Sequence, residues 1–495
     1  MRTKALVLVF VLCVFFLKHK GQTYFNNRYD NFGGSDAATI IDTFNNYYLT
    51  AGFTCPFNTF RKLNLKLYNK ITGNEIISKT YQRGTNDFGN ANYTIKSKNK
   101  FSLCGTRSIN NPDTSLVFLW QFDASLDSIK YNEYGYLNKR NEIYKMAYDN
   151  NKYYYMIGQV SDNLYNSDIL LVKVDTIGNE IWKKKIGITG MDEAALSIDT
   201  LKGDLIISGL RIVHNTSTTD AFVMRLDTAG NILWQKNINT NGGYSGSKIL
   251  TLNDGNILVY NRYKEYTSGS YEYYRLQVQK ITPNNVLIWQ KKYNRASFYA
   301  DPSGSIIENT QGHLVMAGQK GFVGNSIIMG TVNVLSQNGD SLFYKEFYKE
   351  QGSQNYFRDV IQTPDKGYCF AGFIIPVVAN GGTGTEDIWL LKVDSNFCES
   401  AIPCNNNVSV KELVNDANWK VYPNPASEYL EVSCLSAEPY SIEITNALGQ
   451  VVLTPLSFGE GLGVRSINVQ HFISGMYYLS IKTKDKTVTT KFIKE

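Results

Sequence analysis

The feature that most constrains this chain is an internal repeat with a period near 52 residues. The segment SDILLVKVDTIGNEIWKKKI, beginning at Ser167, returns as TDAFVMRLDTAGNILWQKNI from Thr219, so that the turn glycines Gly178 and Gly230 stand 52 residues apart. Weaker copies place the turn at Gly73, Asn284 and Gly339. A degenerate copy surrounds Leu126, and a truncated one starts at Asp387. A second element, a polar turn followed by a short apolar run and a small or polar stop, ends at Gly52, Gly105, Gly158, Gly209, Asn261, Gly318 and Gly372. The spacings are 53, 53, 51, 52, 57 and 54 residues. Such regularity dictates architecture, because each unit can bury its apolar faces only against its neighbours.

The apolar runs are short, punctuated by Gly, Asn and Asp, and lack helical periodicity, so they read as strands. Four short strands in about 50 residues make a propeller blade. Both elements occur seven times. The expected fold class is therefore all-β: a seven-bladed β-propeller followed by a small antiparallel β-sandwich. The chain enters with the second half of a unit, Tyr24 to Gly52, and leaves with the first half, Asp387 to Cys398. These halves are expected to share one composite blade, which would remove the exposed sheet edges. An open solenoid would instead need caps at both ends.

Composition agrees and narrows the function. Hydrophobic residues make up 43% and charged residues 19%, enough apolar material for a core. The net charge is +6, but Arg2, Lys4, Lys18 and Lys20 contribute four of those charges and residues 1–21 hold no acid. The remaining +2 gives no electrostatic footprint for nucleic acid. Ala5 to Leu17 is an apolar run of 13 residues. It is shorter than the roughly 20 residues a spanning helix needs and reads as a secretory signal, residues 1–21. No transmembrane segment is expected in the mature chain. The expected organisation is propeller 22–404, polar linker 405–418 and C-terminal domain 419–495.

The D-x-x-G-x-x-x-W pattern of Asp175, Gly178, Trp182 and of Asp227, Gly230, Trp234 resembles the repeat of quinoprotein-like propellers, with Trp289 and Phe343 in the corresponding place of two further units. That resemblance implies a tight glycine turn and a tryptophan packed between blades. It implies no quinone, since no two cysteines are adjacent. At the other end, Tyr422, Pro423, Asn424 and Pro425 form Y-P-N-P. Leu448 and Gly449 follow in N-A-L-G-Q, Gly475 and Tyr477 in S-G-M-Y, and Lys491 lies in a basic terminus. In order and spacing these residues resemble the type A C-terminal sorting domain of type IX secretion. The resemblance implies a Gram-negative bacterium, passage through the periplasm and outer membrane, and the secretion machinery and its sortase-like peptidase as partners.

A search for chemistry returns little. His19, His214, His313 and His471 are scattered, with no zinc spacing. There is no G-x-S-x-G elbow, phosphate-binding loop or D-x-[DN]-x-[DN]-G calcium loop. Asp175 and Asp227 read as turn formers. No catalytic, cofactor-binding or metal-ligating residue is assigned. Tyr271 and Tyr273, in a Ser/Gly-rich loop, are the candidate ligand contacts. Tyr153 to Tyr155 fill a strand slot taken elsewhere by Leu and Ile, and so read as core. The loops Asn215–Thr218, Tyr266–Tyr274 and Asn380–Thr385 vary between repeats and are expected to precede the first strands, on one face. Cys398 and Cys404 are expected to form a disulfide; Cys55, Cys104, Cys369 and Cys434 stay unassigned. The expected function is a secreted or surface-displayed binding protein without catalysis or cofactor, its ligand a glycan or a protein. The alternative is a polysaccharide hydrolase or lyase, which requires carboxylates from different blades to converge in the channel.

Overall fold

The computed structural model describes residues 22–400 and 419–495, apart from 32, 58, 84–92, 98, 110, 150–152, 163–165, 214–218, 244, 298–303, 322–326, 378–383, 435–439, 447–449, 459–462 and 483–486. Residues 1–21 and the expected linker 405–418 lie outside the described part. The chain divides into two compact units, Met1–Cys404 and Asn405–Glu495. Every regular element among the described residues is a β-strand.

The first unit opens with β1 (Phe25–Tyr29). The strands then follow in antiparallel runs: β2–β5 (Ser35–Phe44, Tyr47–Cys55, Lys62–Asn69, Glu75–Tyr81), β6–β9 (Tyr93–Ser97, Lys100–Ile109, Asn111–Asp123, Ser128–Tyr134) and β10–β13 (Arg140–Tyr148, Tyr153–Ser161, Ser167–Asp175, Glu180–Ile186). Next come β14–β17 (Met191–Leu201, Asp204–Val213, Thr219–Leu226, Ile232–Ile238), β18–β21 (Lys248–Thr251, Ile257–Ser268, Tyr271–Ile281, Leu287–Ser297) and β22–β25 (Ile306–Glu308, Leu314–Gly321, Ile328–Leu335, Ser341–Phe347). Last are β26–β28 (Gln354–Gln362, Tyr368–Ile375, Asp387–Val393), beside which β1 adds as the fourth strand, with Phe25 opposite Lys392 and Tyr29 opposite Ile388. Single parallel bridges, Arg140 to Ser115 and Ile328 to Gln354, join two pairs of these runs into eight-stranded sheets.

The entry strand differs from the sequence expectation. Only β1 joins the sheet of β28. The apolar run of Ser35–Cys55 opens the β2–β5 sheet instead. The reason is local: the Asp30–Gly34 turn reverses the chain, with Gly33 at φ 65°, so residues on its two sides enter different sheets.

One contact recurs from sheet to sheet. The fourth strand of each run meets the hairpin between the third and fourth strands of the next. Tyr81 donates to the Leu126 carbonyl, and Tyr134 to that of Gly178 at 2.7 Å. The Trp182 indole covers Gly230, where a side-chain carbon would stand 3.1 Å away. Trp234 donates to Pro283 O and Trp289 to Gln337 O, both at 2.9 Å. Phe343 stacks on Phe397 at 4.8 Å, and Tyr29 of β1 donates to the Gly73 carbonyl of the β4–β5 hairpin. Gly178, Gly230 and Gly339 hold φ values of 86°, 79° and 75°, a left-handed turn that favours glycine. Asp175 and Asp227 accept from the backbone N–H groups of their own turns, at 2.8–3.0 Å. They are turn formers.

The apolar cores lie between neighbouring sheets. Leu49, Leu65, Phe101 and Phe122 join the β2–β5 and β6–β9 runs, and Tyr155, Leu171, Leu205 and Phe222 join the next pair but one. Phe25, Ile388 and Cys369 pack with Ile41, Tyr48 and Tyr68, so the last run shares a core with the first. Tyr154 and Tyr155 are buried, as their strand slot requires.

The second unit has two sheets, β29–β30–β33 (Trp419–Tyr422, Tyr429–Cys434, Gly463–Asn468) and β32–β31–β34–β35 (Val451–Phe458, Tyr440–Asn446, Gly475–Lys482, Thr487–Lys494). Leu430, Val432, Ile442, Ile444, Leu479 and Phe492 fill its core, the alternate positions that a half-buried strand turns inward.

Candidate functional site

Four of the recurring glycines lie inside the second strands rather than at their ends. Opposite Gly52, Gly158, Gly209 and Gly372, the first strand of the run bulges, between Ala38 and Ile40, Ile143 and Lys145, Ala195 and Ser197, and Phe357 and Asp359. At each glycine a side-chain carbon would fall within 2 Å of a carbonyl oxygen on the bulged strand, that of Ala37, Glu142, Ala194 or Tyr356. Only glycine allows that approach. A bulge sets two residues against one and re-aims their side chains. The re-aimed pairs are Thr39–Ile40, Tyr144–Lys145, Leu196–Ser197 and Arg358–Asp359. All eight line one cavity of about 440 Å³, together with Lys248 of β18 and Ser305 before β22.

The cavity is cationic. Arg61, Lys145, Lys248 and Arg358 line it against two carboxyls, Asp359 and Glu386. Arg61 lies over the Phe53 ring at 4.4 Å, and Arg358 over Phe373 at 5.0 Å. Asp359 accepts from the backbone N–H groups of Ile41 and Val360, each at 2.9 Å. Burial nevertheless pushes its pKa up to about 6. Burial also raises the pKa of Glu386, against the pull of Arg61 and Arg358. It lowers that of Lys145, which donates to Ser197 Oγ at 3.4 Å and feels Asp199 and Asp359. Acid and base groups whose pKa values burial moves toward neutrality, in one cleft, make this cavity the candidate site.

Tyr271 and Tyr273 are elsewhere. Tyr271 is 46% exposed at the start of β20, and Tyr273 stacks on Tyr266 at 4.6 Å; none of these rings lines the cavity. The variable loops join second strands to third strands rather than preceding the first strands, because the repeat read in the sequence begins at the third strand of each sheet. Residues 214–218 and 378–383 of those loops lie outside the described part. Cys398 is disulfide-bonded, and Cys404 lies outside the described part. Cys104 and Cys369 are buried free thiols. In the second unit Asn424 anchors the Y-P-N-P turn, its Oδ1 accepting from Ile493 N at 2.9 Å, while Tyr422 is exposed. Gly475 opens β34. Tyr477 is buried, donating to Ile473 O at 2.7 Å and stacking on Phe492. Lys491 is exposed, and Leu448 and Gly449 lie outside the described residues.

Residues 420–495 match the secretion system C-terminal sorting domain. The protein is exported by the type IX route. Its destination is the cell surface or the extracellular space, and no helix among the described residues is long and apolar enough to cross a membrane. No curated protein matches the chain. Among solved structures, it is similar to an α-L-arabinanase of Penicillium chrysogenum complexed with arabinobiose (11% identity, 75% of this chain and 97% of that one, TM-score 0.41). It is also similar to a subtype N10 neuraminidase-like protein from a little yellow-shouldered bat isolate (9%, 76% and 98%, TM-score 0.38). A third is a quinohemoprotein alcohol dehydrogenase of Comamonas testosteroni (9%, 74% and 76%, TM-score 0.40).

One expectation is corrected here. A chain without catalysis was inferred from the lack of any catalytic spacing. An arabinanase and a neuraminidase-like protein stand among the similar structures, and that inference is withdrawn. The physical reason is that spacing along the chain carries no information about groups gathered from different sheets. Asp359 and Glu386 come from the last run, but Lys145 and Lys248 come from two other runs, and no linear pattern links the three.

Proposed function

We propose that the first unit is a seven-bladed β-propeller, closed by β1, whose central cavity takes up an acidic polysaccharide and cleaves it outside the cell. The carrying observation is the bulge-aimed cavity, where four cationic side chains surround two carboxyls. Arg61, Arg358, Lys145 and Lys248 would neutralise the carboxylates or sulfates of the sugar chain. Tyr144, half-buried in the lining, offers a ring for the sugar chain, while the Phe53 and Phe373 rings carry Arg61 and Arg358. Asp359, proton-bearing below about pH 6, is suited to protonate a leaving oxygen, and Glu386 is the second carboxyl that glycoside hydrolysis requires. The sheet-to-sheet contacts, including that of Tyr29 with Gly73, support seven blades and ring closure.

The test is turnover of a panel of acidic and neutral polysaccharides by the secreted protein. New reducing ends from an acidic substrate, lost in Asp359→Asn while binding persists, would support the reading. A folded protein that neither binds nor cleaves any of them would overturn it. Unsaturated sugar products would mark elimination rather than hydrolysis.

In the same reading residues 22–404 are the propeller, 405–418 a linker and 419–495 the sorting domain read by the export machinery through Tyr422–Pro425, Leu448, Gly449, Gly475, Tyr477 and Lys491. Deleting Trp419–Glu495 should leave a folded propeller in the periplasm; surface appearance of the truncated protein would refute this. Cys398 pairs with Cys404, which mass spectrometry of the non-reduced protein checks.

A further inference from the structure

A second charged cluster borders the cavity, where β1, β2 and β28 meet and Asp36 N donates to the Glu386 carbonyl at 2.5 Å. Asp30 ends the entry strand, Asp36 stands in β2, and Asp387 begins β28. One carboxylate oxygen from each lies within 4.8 Å of the others. Asp36 and Asp387 are fully buried, and Asp30 is exposed. Three carboxylates this close repel one another strongly unless countercharge is present. The countercharge in place is two cations, Arg28 beside Asp387 and Lys66 acting on Asp36, against three carboxylates. Arg28 holds Oδ2 of Asp387 at 2.6 Å and reaches Glu350 at 3.6 Å. Lys66 is committed to Glu75 and to Oδ1 of Asn31, at 2.5 and 2.7 Å.

The independent observation is Oδ1 of Asp387. It is buried and has no hydrogen-bond partner, although the residue is wholly enclosed. Leaving such an oxygen unsatisfied is costly, and nearly all buried polar atoms are paired. The neighbouring groups are already used: Oδ2 of Asp36 accepts from Asn31 N at 2.6 Å, and Oδ1 of Asp30 from Gly33 N at 3.0 Å. Asp30, Asp36 and Asp387 thus bring carboxylate oxygens within 4.8 Å of one another, and Asp387 keeps one oxygen without a hydrogen-bond partner.

We propose that a calcium ion is bound by Asp30, Asp36 and Asp387, and that it clasps the entry strand to the first and last sheets. The donors are all oxygen, which selects a hard cation over zinc or copper. Their irregular arrangement on three strands suits calcium, which accepts six to eight oxygens in flexible geometry, rather than the strict octahedron of magnesium. Exposed Asp30 supplies the path of entry and room for water ligands. An exported protein meets the roughly 0.1–1 mM affinity range in which extracellular calcium modules work.

The test uses the full-length protein stripped of metal by a chelator and titrated with calcium chloride, reading heat and thermal unfolding. The expected result is one calcium ion per chain and a Tm raised by a few degrees. Both are weakened about tenfold or more in Asp30→Asn and abolished in Asp387→Asn. Asp30 is exposed, so its variant should fold and decide the matter if Asp387→Asn does not. No calcium bound at about 10 mM, well above the affinity range of extracellular modules, would overturn the proposal. Binding that both variants retain in full would overturn it too.

Discussion

The hairpins between third and fourth strands and the bulged first strands recur at the same period, yet they behave oppositely. At the hairpins an aromatic side chain returns in the same role each time, tryptophan in three of the runs. Gly178, Gly230 and Gly339 turn the chain, and Trp182, Trp234 and Trp289 seal the next sheet. On the first strands the backbone device returns but the side chains do not. The residue after the bulge is Ile40, Lys145, Ser197 or Asp359. Repetition of side-chain type therefore marks structure in this chain. Repetition of backbone geometry with varied side chains marks the lining of the cavity.

The contrast can be broken most severely at Asp359. Asp359→Asn should cut polysaccharide turnover about 10²–10⁴-fold, as loss of a general acid does, with binding and Tm nearly unchanged. A drop in stability that matched the drop in activity would make Asp359 structural. The same residue predicts a pH dependence. Its pKa in the folded protein is raised to about 6, so the proton-bearing form, and the stability that goes with it, persists at low pH and is lost as pH rises through about 6. Lys145 and Asp42 are the charged neighbours that modulate this. Turnover should fall above about pH 6, and a profile rising through that range would contradict the assignment.

Structural positions should respond in stability instead. Trp389 is wholly buried and stacks on Phe357 at 4.4 Å, so Trp389→Ala should cost about 3–5 kcal/mol in denaturant unfolding. Gly339→Ala should cost less, about 1–3 kcal/mol. Its φ is 75°, and the new carbon would lie 2.9 Å from Trp289. The smallest effect is expected at Tyr271 and Tyr273, where replacement by Ala should change stability by no more than about 0.5 kcal/mol. If polysaccharide binding nonetheless falls in those variants, the exposed Tyr266–Tyr273 hairpin extends the binding surface beyond the cavity.

The two kinds of position were not equally legible. The Asp175 and Asp227 turns could be read directly, since a turn is a local object whose residues are contiguous. Gly52, Gly158, Gly209 and Gly372 were visible as strand ends, but their meaning was not. What each glycine admits is a carbonyl oxygen about 10–20 residues earlier in the chain. Strand β33 forms although its glycine-rich start weakens strand propensity, because pairing with β30 supplies the hydrogen bonds.

The sequence by itself determined the all-β class, the period, the tryptophan and glycine positions and the export route, because each is carried by local spacing or by a contiguous C-terminal signature. Tertiary structure alone decided that one five-residue strand, β1, meets β28, and that Asp359, Glu386, Lys145 and Lys248 share a cavity. It alone brought Asp30, Asp36 and Asp387 together. The reason is the same in all three cases. Groups from different strands become neighbours only when strands pair and sheets pack, and neither their types nor their intervals along the chain record that meeting.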